Sequence, residues 1–337
     1  MGAVVCLAAI LMFGQTIDEK ANKLFDDYRQ TMTLFDSLRV KVSAEADGAK
    51  LVTQLREKLQ IIAQTATKYQ SEAKTNDAKA RLAVIRFEAL ASTLQPAEQT
   101  DALATEIATK YRESAGLCPF IEDLTFYKIL GQDRYAPFDV LLKQSKNKEV
   151  VSSAFLANYF SSTMNDGFDI NVYRLLSVNF KDTKAGQRAA RIYNLRTTMS
   201  LGAPMPELEL ELLSGYKLKI GSLKGRVVVI DFYGFWSSGS VAEMPEIKDY
   251  VSKYPSKIAW IGINTDGWTK AFLTQRLTDL GANWQNCYGG SISGTLPIDL
   301  GIVAYPSKII IDSFGVIRYL PGIRDWRPAL DEALSKT

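Results

Sequence analysis

The chain of 337 residues contains no histidine. Without imidazole there is no Ser-His-Asp or Cys-His catalysis and no histidine metal site. Cysteine is scarce too: Cys6, Cys118 and Cys287 lie far apart and form neither a CxxC pair nor a zinc-ligand spacing. Cys118, within GLCPFI, reads as a small buried apolar residue, and no spacing supports a Cys118–Cys287 disulfide. An excess of one charge is also missing. Lys and Arg number 40 against 37 Asp and Glu, and no basic run is interleaved with aromatics, so nothing points to nucleic acid.

The apolar run Ala3–Phe13 has eleven residues, short of the roughly 20 that span a bilayer. Its length suits the core of a secretory signal cleaved near Gly14–Gln15, although the usual basic flank is absent. Cys6 follows too few residues to make a lipoprotein site. Residues 1–15 are therefore expected to be a signal-like segment, with the protein exported to the periplasm or cell envelope and at most an N-terminal membrane association. The remaining composition, 47% apolar and 23% charged, is that of a globular chain long enough for two domains.

Glycine, proline and tryptophan divide those two domains. Residues 20–198 hold five glycines, three prolines and no tryptophan, whereas residues 199–337 hold fifteen, eight and all five. In the first region, LVTQLREKLQIIAQTATKYQ (51–70) and AKARLAVIRFEALASTL (78–94) carry apolar residues at 3–4 spacing. Breaks near Ala46–Gly48, Thr75–Asp77, Gln95–Pro96 and Gly116–Pro119 cut it into helix-length pieces. An all-α domain over 16–198 follows, a bundle or a short array of helical hairpins. Lys181, Arg188 and Arg191 near its end read as a solvated face.

From residue 199 the rhythm changes. LELELL and YKLKI alternate about Ser214–Gly215 as a β-hairpin, and RVVVIDFYG and KIAWIGINTD read as buried strands. Helices are expected over Ser237–Lys253 and 268–281, the latter closed by Gly281. Two strands then flank a Ser313–Gly315 turn, and a last helix is capped by Asp325. The order predicts an α/β domain over 199–337 with a mixed sheet flanked by helices.

Four stretches in this order, LGAPMPELEL (201–210), SLKGRVVVIDFYGFW (222–236), VAEMPEI (241–247) and AYPSKIIIDSFGVI (304–317), resemble the TlpA/ResA group of exported thiol–disulfide oxidoreductases, relatives of the AhpC/TSA redoxins with a thioredoxin fold. The resemblance covers about 200–337 and not the helical region. It implies that Pro306 is the cis-proline facing the active-site motif, that Trp236, Tyr305 and Pro306 form a peptide-binding surface, and that Asp231 is the buried acid behind the second cysteine.

The group's W-C-x-x-C motif departs here to Trp236-Ser237-Ser238-Gly239-Ser240. A thiol at a helix N-terminus becomes a thiolate because the unpaired N–H groups and the helix dipole favour the anion, and a second thiol resolves the mixed disulfide. Serine at 237 and 240 does neither, but it still caps a helix. A Ser-Lys pair needs a desolvated lysine, and the sequence points to none. Cys287, placed in a loop before the Pro306 segment, remains as a lone thiol. Three explanations stand: natural loss of redox chemistry, an engineered Cys→Ser form of an active enzyme, and a one-thiol reaction at Cys287. The first is preferred, because positions 238 and 239 depart from the motif as well. The expected role is a redox-silent, peptide- or protein-binding or scaffold module of the envelope, with no cofactor and no metal. The alternative is an active thiol–disulfide oxidoreductase.

Overall fold

The computed structural model describes residues 16–39, 45–93, 97–118, 121, 141–163, 169–289, 295–322 and 325–337. The expected signal segment, residues 1–15, lies outside these. The chain divides into two compact units: residues up to 167 together with 176–187, and residues 168–175 together with 188–337. The second unit thus takes in residues 168–175 as well as the continuous stretch from Arg188 onward.

The first unit is helical, with α1 (Ile17–Arg39), α2 (Glu45–Glu72), α3 (Asn76–Ala91), α4 (Ala97–Lys110) and α5 (Lys148–Thr163). Ala46–Gly48, expected to break the chain, falls instead in the first turn of α2. Thr75 caps α3 by accepting from Ala78 N at 3.1 Å. Helix α3 carries small and branched apolar residues almost all the way round, which lets it lie between two cores. Leu82 and Ile85 pack with Leu24, Leu55 and Leu59 of α1 and α2. Val84 and Phe87 pack with Ile107 of α4, Leu117 and Val150. Helices α6 (Ile170–Asn179) and α7 (Lys184–Thr198) follow.

In the second unit, β1 (Glu209–Glu211) and β2 (Lys217–Lys219) form the expected hairpin. The main sheet contains β3 (Val227–Tyr233), β4 (Ile258–Asn264), β5 (Gln285–Tyr288), β6 (Ser307–Ile311) and β7 (Ile317–Tyr319), in the order β5-β4-β3-β6-β7. β3 runs parallel to β4, and β4 to β5, while β6 is antiparallel to β3 and to β7. Helices α8 (Ser238–Lys253), α9 (Lys270–Asp279), α10 (Thr295–Leu300) and α11 (Arg327–Ser335) complete it. This is the mixed-sheet α/β thioredoxin-like domain expected from the sequence.

Every residue of β3 and β4 is buried, because both faces of the sheet are covered. Strand alternation sorts the side chains into two layers. Val228, Ile230, Phe232, Ile309 and Ile311 pack on one face; Val227, Val229, Ile310, Trp260 and Trp326 pack on the other. Asp231 and Lys308 share the parity of this second layer, which brings two charges into an apolar core.

Two local expectations are corrected, and one short helix is added to them. Cys287 lies on β5, not in a loop, because Asn286 and Cys287 pair with Gly262 and Ile263. Helix α10 was not foreseen; six residues are too few to show a period. Trp326, not Asp325, occupies the N-cap position of α11, and Asp325 Oδ1 accepts from Arg327 N at 3.2 Å.

Candidate functional site

The site is assembled where β3 gives way to α8. Tyr233 ends the strand, and its hydroxyl donates to Asn286 Oδ1 at 2.7 Å. Gly234 lets the chain turn beneath an indole: a Cβ there would meet Trp236 Nε1 at 2.2 Å. Phe235 N donates to Asp266 Oδ2 at 2.9 Å, and Asn264 Nδ2 holds the same oxygen at 2.7 Å. The Phe235 ring stacks on Trp268 with centroids 5.1 Å apart. Burial pushes the Asp266 carboxyl up, and the hydrogen bonds it accepts from Phe235, Asn264 and Trp236 oppose that rise.

Ser237 occupies the N-cap of α8. Its Oγ accepts from Ser240 N at 3.3 Å and donates to the Tyr305 carbonyl at 3.3 Å, which ties the helix start to the opposite loop. Ser240 is buried, and its Oγ makes a long 3.5 Å contact with Gly234 N. The Tyr305–Pro306 peptide bond is cis. A Cβ on Gly239 would come 3.2 Å from Pro306 Cδ, so the motif turn and the proline are in close apposition. Trp236 is 54% exposed, and its ring meets Tyr305 edge-on at 5.3 Å. The structure thus brings Trp236, Ser237, Ser240, Tyr305 and Pro306 together.

Asp231 lies in the sheet below. Its Oδ2 accepts from Trp260 Nε1 at 3.2 Å, and its Oδ1 is 3.1 Å from Lys308 Nζ. The Lys308 ammonium also donates to Glu243 Oε2 at 2.5 Å, and Glu243 Oε1 accepts from Trp326 Nε1 at 3.2 Å. Burial pushes the Asp231 carboxyl up against the pull of Lys308. Burial works to lower the Lys308 pKa, but the charges and hydrogen bonds of Asp231 and Glu243 carry it the other way. A desolvated lysine is therefore present, contrary to the sequence reading. It is held protonated and so is no general base for a serine.

Cys287 does not join the site. It is 3% exposed on β5, in the core layer opposite Asp231, and burial pushes its thiol up to about 12. Such a thiol is not a thiolate at neutral pH. Cys118 and Cys287 both carry thiols, with no disulfide between them. Among the described residues no three His, Cys, Asp or Glu side chains gather as metal ligands, and no helix is long and apolar enough to cross a membrane.

Sequence reasoning missed Lys308, Glu243, Asp266 and Asn264. One signal was available for the first of them: a lysine inside the otherwise apolar strand SKIII must either reach solvent or find a buried acid.

A helix N-terminus set against a cis-proline at the end of a buried β3 defines a thioredoxin-like protein. Residues 201–320 match the AhpC/TSA family. Over 143 residues the chain is 30% identical to the thiol-disulfide oxidoreductase ResA of Bacillus thuringiensis, covering 41% of this chain and 79% of that protein. It is 25% identical over 126 residues to the thioredoxin-like protein YneN of Bacillus subtilis, covering 35% and 68%. A solved C-terminal domain of a thiol-disulfide oxidoreductase from Bacteroides thetaiotaomicron is 19% identical, with a TM-score of 0.37, over 41% of this chain and 98% of that one. The chain belongs, through its C-terminal domain, to this ResA-like branch of the AhpC/TSA family.

Proposed function

We propose that this protein is a redox-silent member of its family that uses the surface around Trp236, Tyr305 and Pro306 to dock an extended peptide segment of a protein partner in the cell envelope. The observation that carries this reading is the pairing of a half-exposed Trp236 braced on Tyr305 with hydroxyls at both motif positions. An indole with one open face supplies apolar contact area at low entropic cost. Hydroxyls at 237 and 240 supply neither an attacking thiolate nor a resolving thiol. The envelope placement rests on the length of the apolar run Ala3–Phe13.

Buried Cys287, with its thiol at about 12, speaks against a one-thiol reaction. Protonated Lys308 speaks against Ser-Lys hydrolysis. What remains is a scaffold with its motif intact in shape and altered in chemistry.

The test is an insulin-reduction assay of the purified chain beside its Ser237→Cys/Ser240→Cys double variant, followed by capture from a peptide array. Turnover by the double variant alone, with array binding lost in Trp236→Ala, is the expected result. Turnover by the unmodified chain overturns redox silence, and binding indifferent to Trp236 overturns the docking site.

A further inference from the structure

We propose that Arg188 and Arg196 of α7 are positioning residues for the Pro306 loop, holding α10 and, through it, the loop whose Tyr305 carbonyl meets Ser237. The consequence for docking rests on the role proposed above; the positioning itself stands on residues of the second unit alone.

Both arginines converge on the end of α10. Arg188 Nε and Nη2 donate to Asp299 Oδ1 at 3.2 and 3.1 Å, and each side chain of this pair is only 16% exposed. Arg196 Nε donates to the Asp299 carbonyl at 3.2 Å, and its Nη2 donates to the Ile298 carbonyl. The last carbonyls of a helix have no partner within it, and a cation at that end is favoured by the dipole. A six-residue helix has little stability of its own, so an external cap matters more here than at a long one.

The guanidinium of Arg196 is itself held, lying 5.1 Å above the Tyr173 ring. Gly301 turns the chain beside it at φ 74°, and a Cβ there would stand 3.1 Å from Arg196 Cζ. Four residues separate Gly301 from Pro306. Of these, Val303 and Ala304 are exposed and contribute little packing. Ile302 and Tyr305 pack into a core that also holds Leu195 and Met199 near the end of α7. The loop is thus anchored at one end by the arginine clamp and at the other by Ser237 on the Tyr305 carbonyl. The charges that the sequence suggested were a solvated face include, in Arg188, half of this clamp.

Hydrogen–deuterium exchange on the full chain tests the assignment, with Arg188→Met and Arg196→Met keeping the aliphatic stems. Exchange of the amides in 298–305 is expected to rise at least about tenfold while amides of β3 and β4 stay protected, a pattern of local rather than global opening. An unchanged 298–305 segment, or an equal rise across the sheet, overturns the proposal. If the methionine variants do not fold, Arg196→Lys, which keeps the charge but not the two-carbonyl geometry, is read by the same criteria. A wild-type chain that captures no peptide removes the docking role and leaves the exchange result standing.

Discussion

Lys308 stands opposite Asp231 in the antiparallel β3–β6 register, its ammonium 3.1 Å from that carboxylate, with both side chains 2% exposed. Glu243 reaches the same ammonium from α8, and the rings of Trp260 and Trp326 lie 6.0 and 5.1 Å from it. One lysine therefore joins β3, β6 and α8 beneath the motif. Taking such charges out of water costs several kcal/mol per ion, which is offset only when the geometry is good and the remaining polar atoms are paired.

Removing one partner leaves the other uncompensated. Lys308→Met is expected to cost about 3–5 kcal/mol in urea unfolding. Combining it with Asp231→Asn should recover much of that loss. A single-variant loss below about 1 kcal/mol would show that the cluster does not couple these elements.

The cluster also sets an alkaline limit. Lys308 has a folded pKa above its ordinary 10.5, so its contribution is complete below that value and is lost as pH rises through the folded pKa. Asp231 is raised, so the native state keeps its proton longer than the unfolded chain does, and acid removes no stability through it. Buried Tyr233 is also raised, by burial first and then by Asp231, and adds to the alkaline loss. Unfolding free energies measured from pH 9 to 11.5 should therefore fall with pH, and fall less steeply in Lys308→Met. Equal slopes would remove Lys308 from the account.

Cys287, with its thiol pushed up to about 12, should resist iodoacetamide at pH 8 in the folded chain and react once urea unfolds it. Peptide-resolved mass spectrometry separates it from the other two cysteines. Rapid labelling of the native protein at this position would reopen the one-thiol reaction.

Trp236 and Gly262 separate binding from stability. Trp236→Ala, at a site 54% exposed, should change stability by less than ~1 kcal/mol while abolishing array binding. Gly262→Ala places a Cβ 2.4 Å from Asn286 Oδ1 and 2.8 Å from Tyr233 Cε1, and overpacking of this kind costs about 1–3 kcal/mol. Thermal melts of both variants check the contrast.

The amino-acid sequence by itself determined the helical region, the mixed-sheet domain and the positions that carry its motif. Those features are local. Apolar periodicity marks helices and buried strands, and the turn and cap residues that bound them, such as Thr75 and Ser237, act within three residues of their own position. The serines at 237 and 240 were equally plain, since residue type alone decides whether a side chain can form a thiolate. Only the tertiary structure decided which charges are buried and what they meet. Lys308 and Asp231 are 77 residues apart and face each other through a β3–β6 pairing that no short window contains. Cys287 became a core residue because β5 is too short to show its own period and is recognised only by its pairing with β4. Arg188 turned from a surface charge into a clamp because Asp299, 111 residues away, lies within 3.1 Å of it. Burial and electrostatic partnership are properties of distance in space, and sequence spacing does not encode them until the chain has folded.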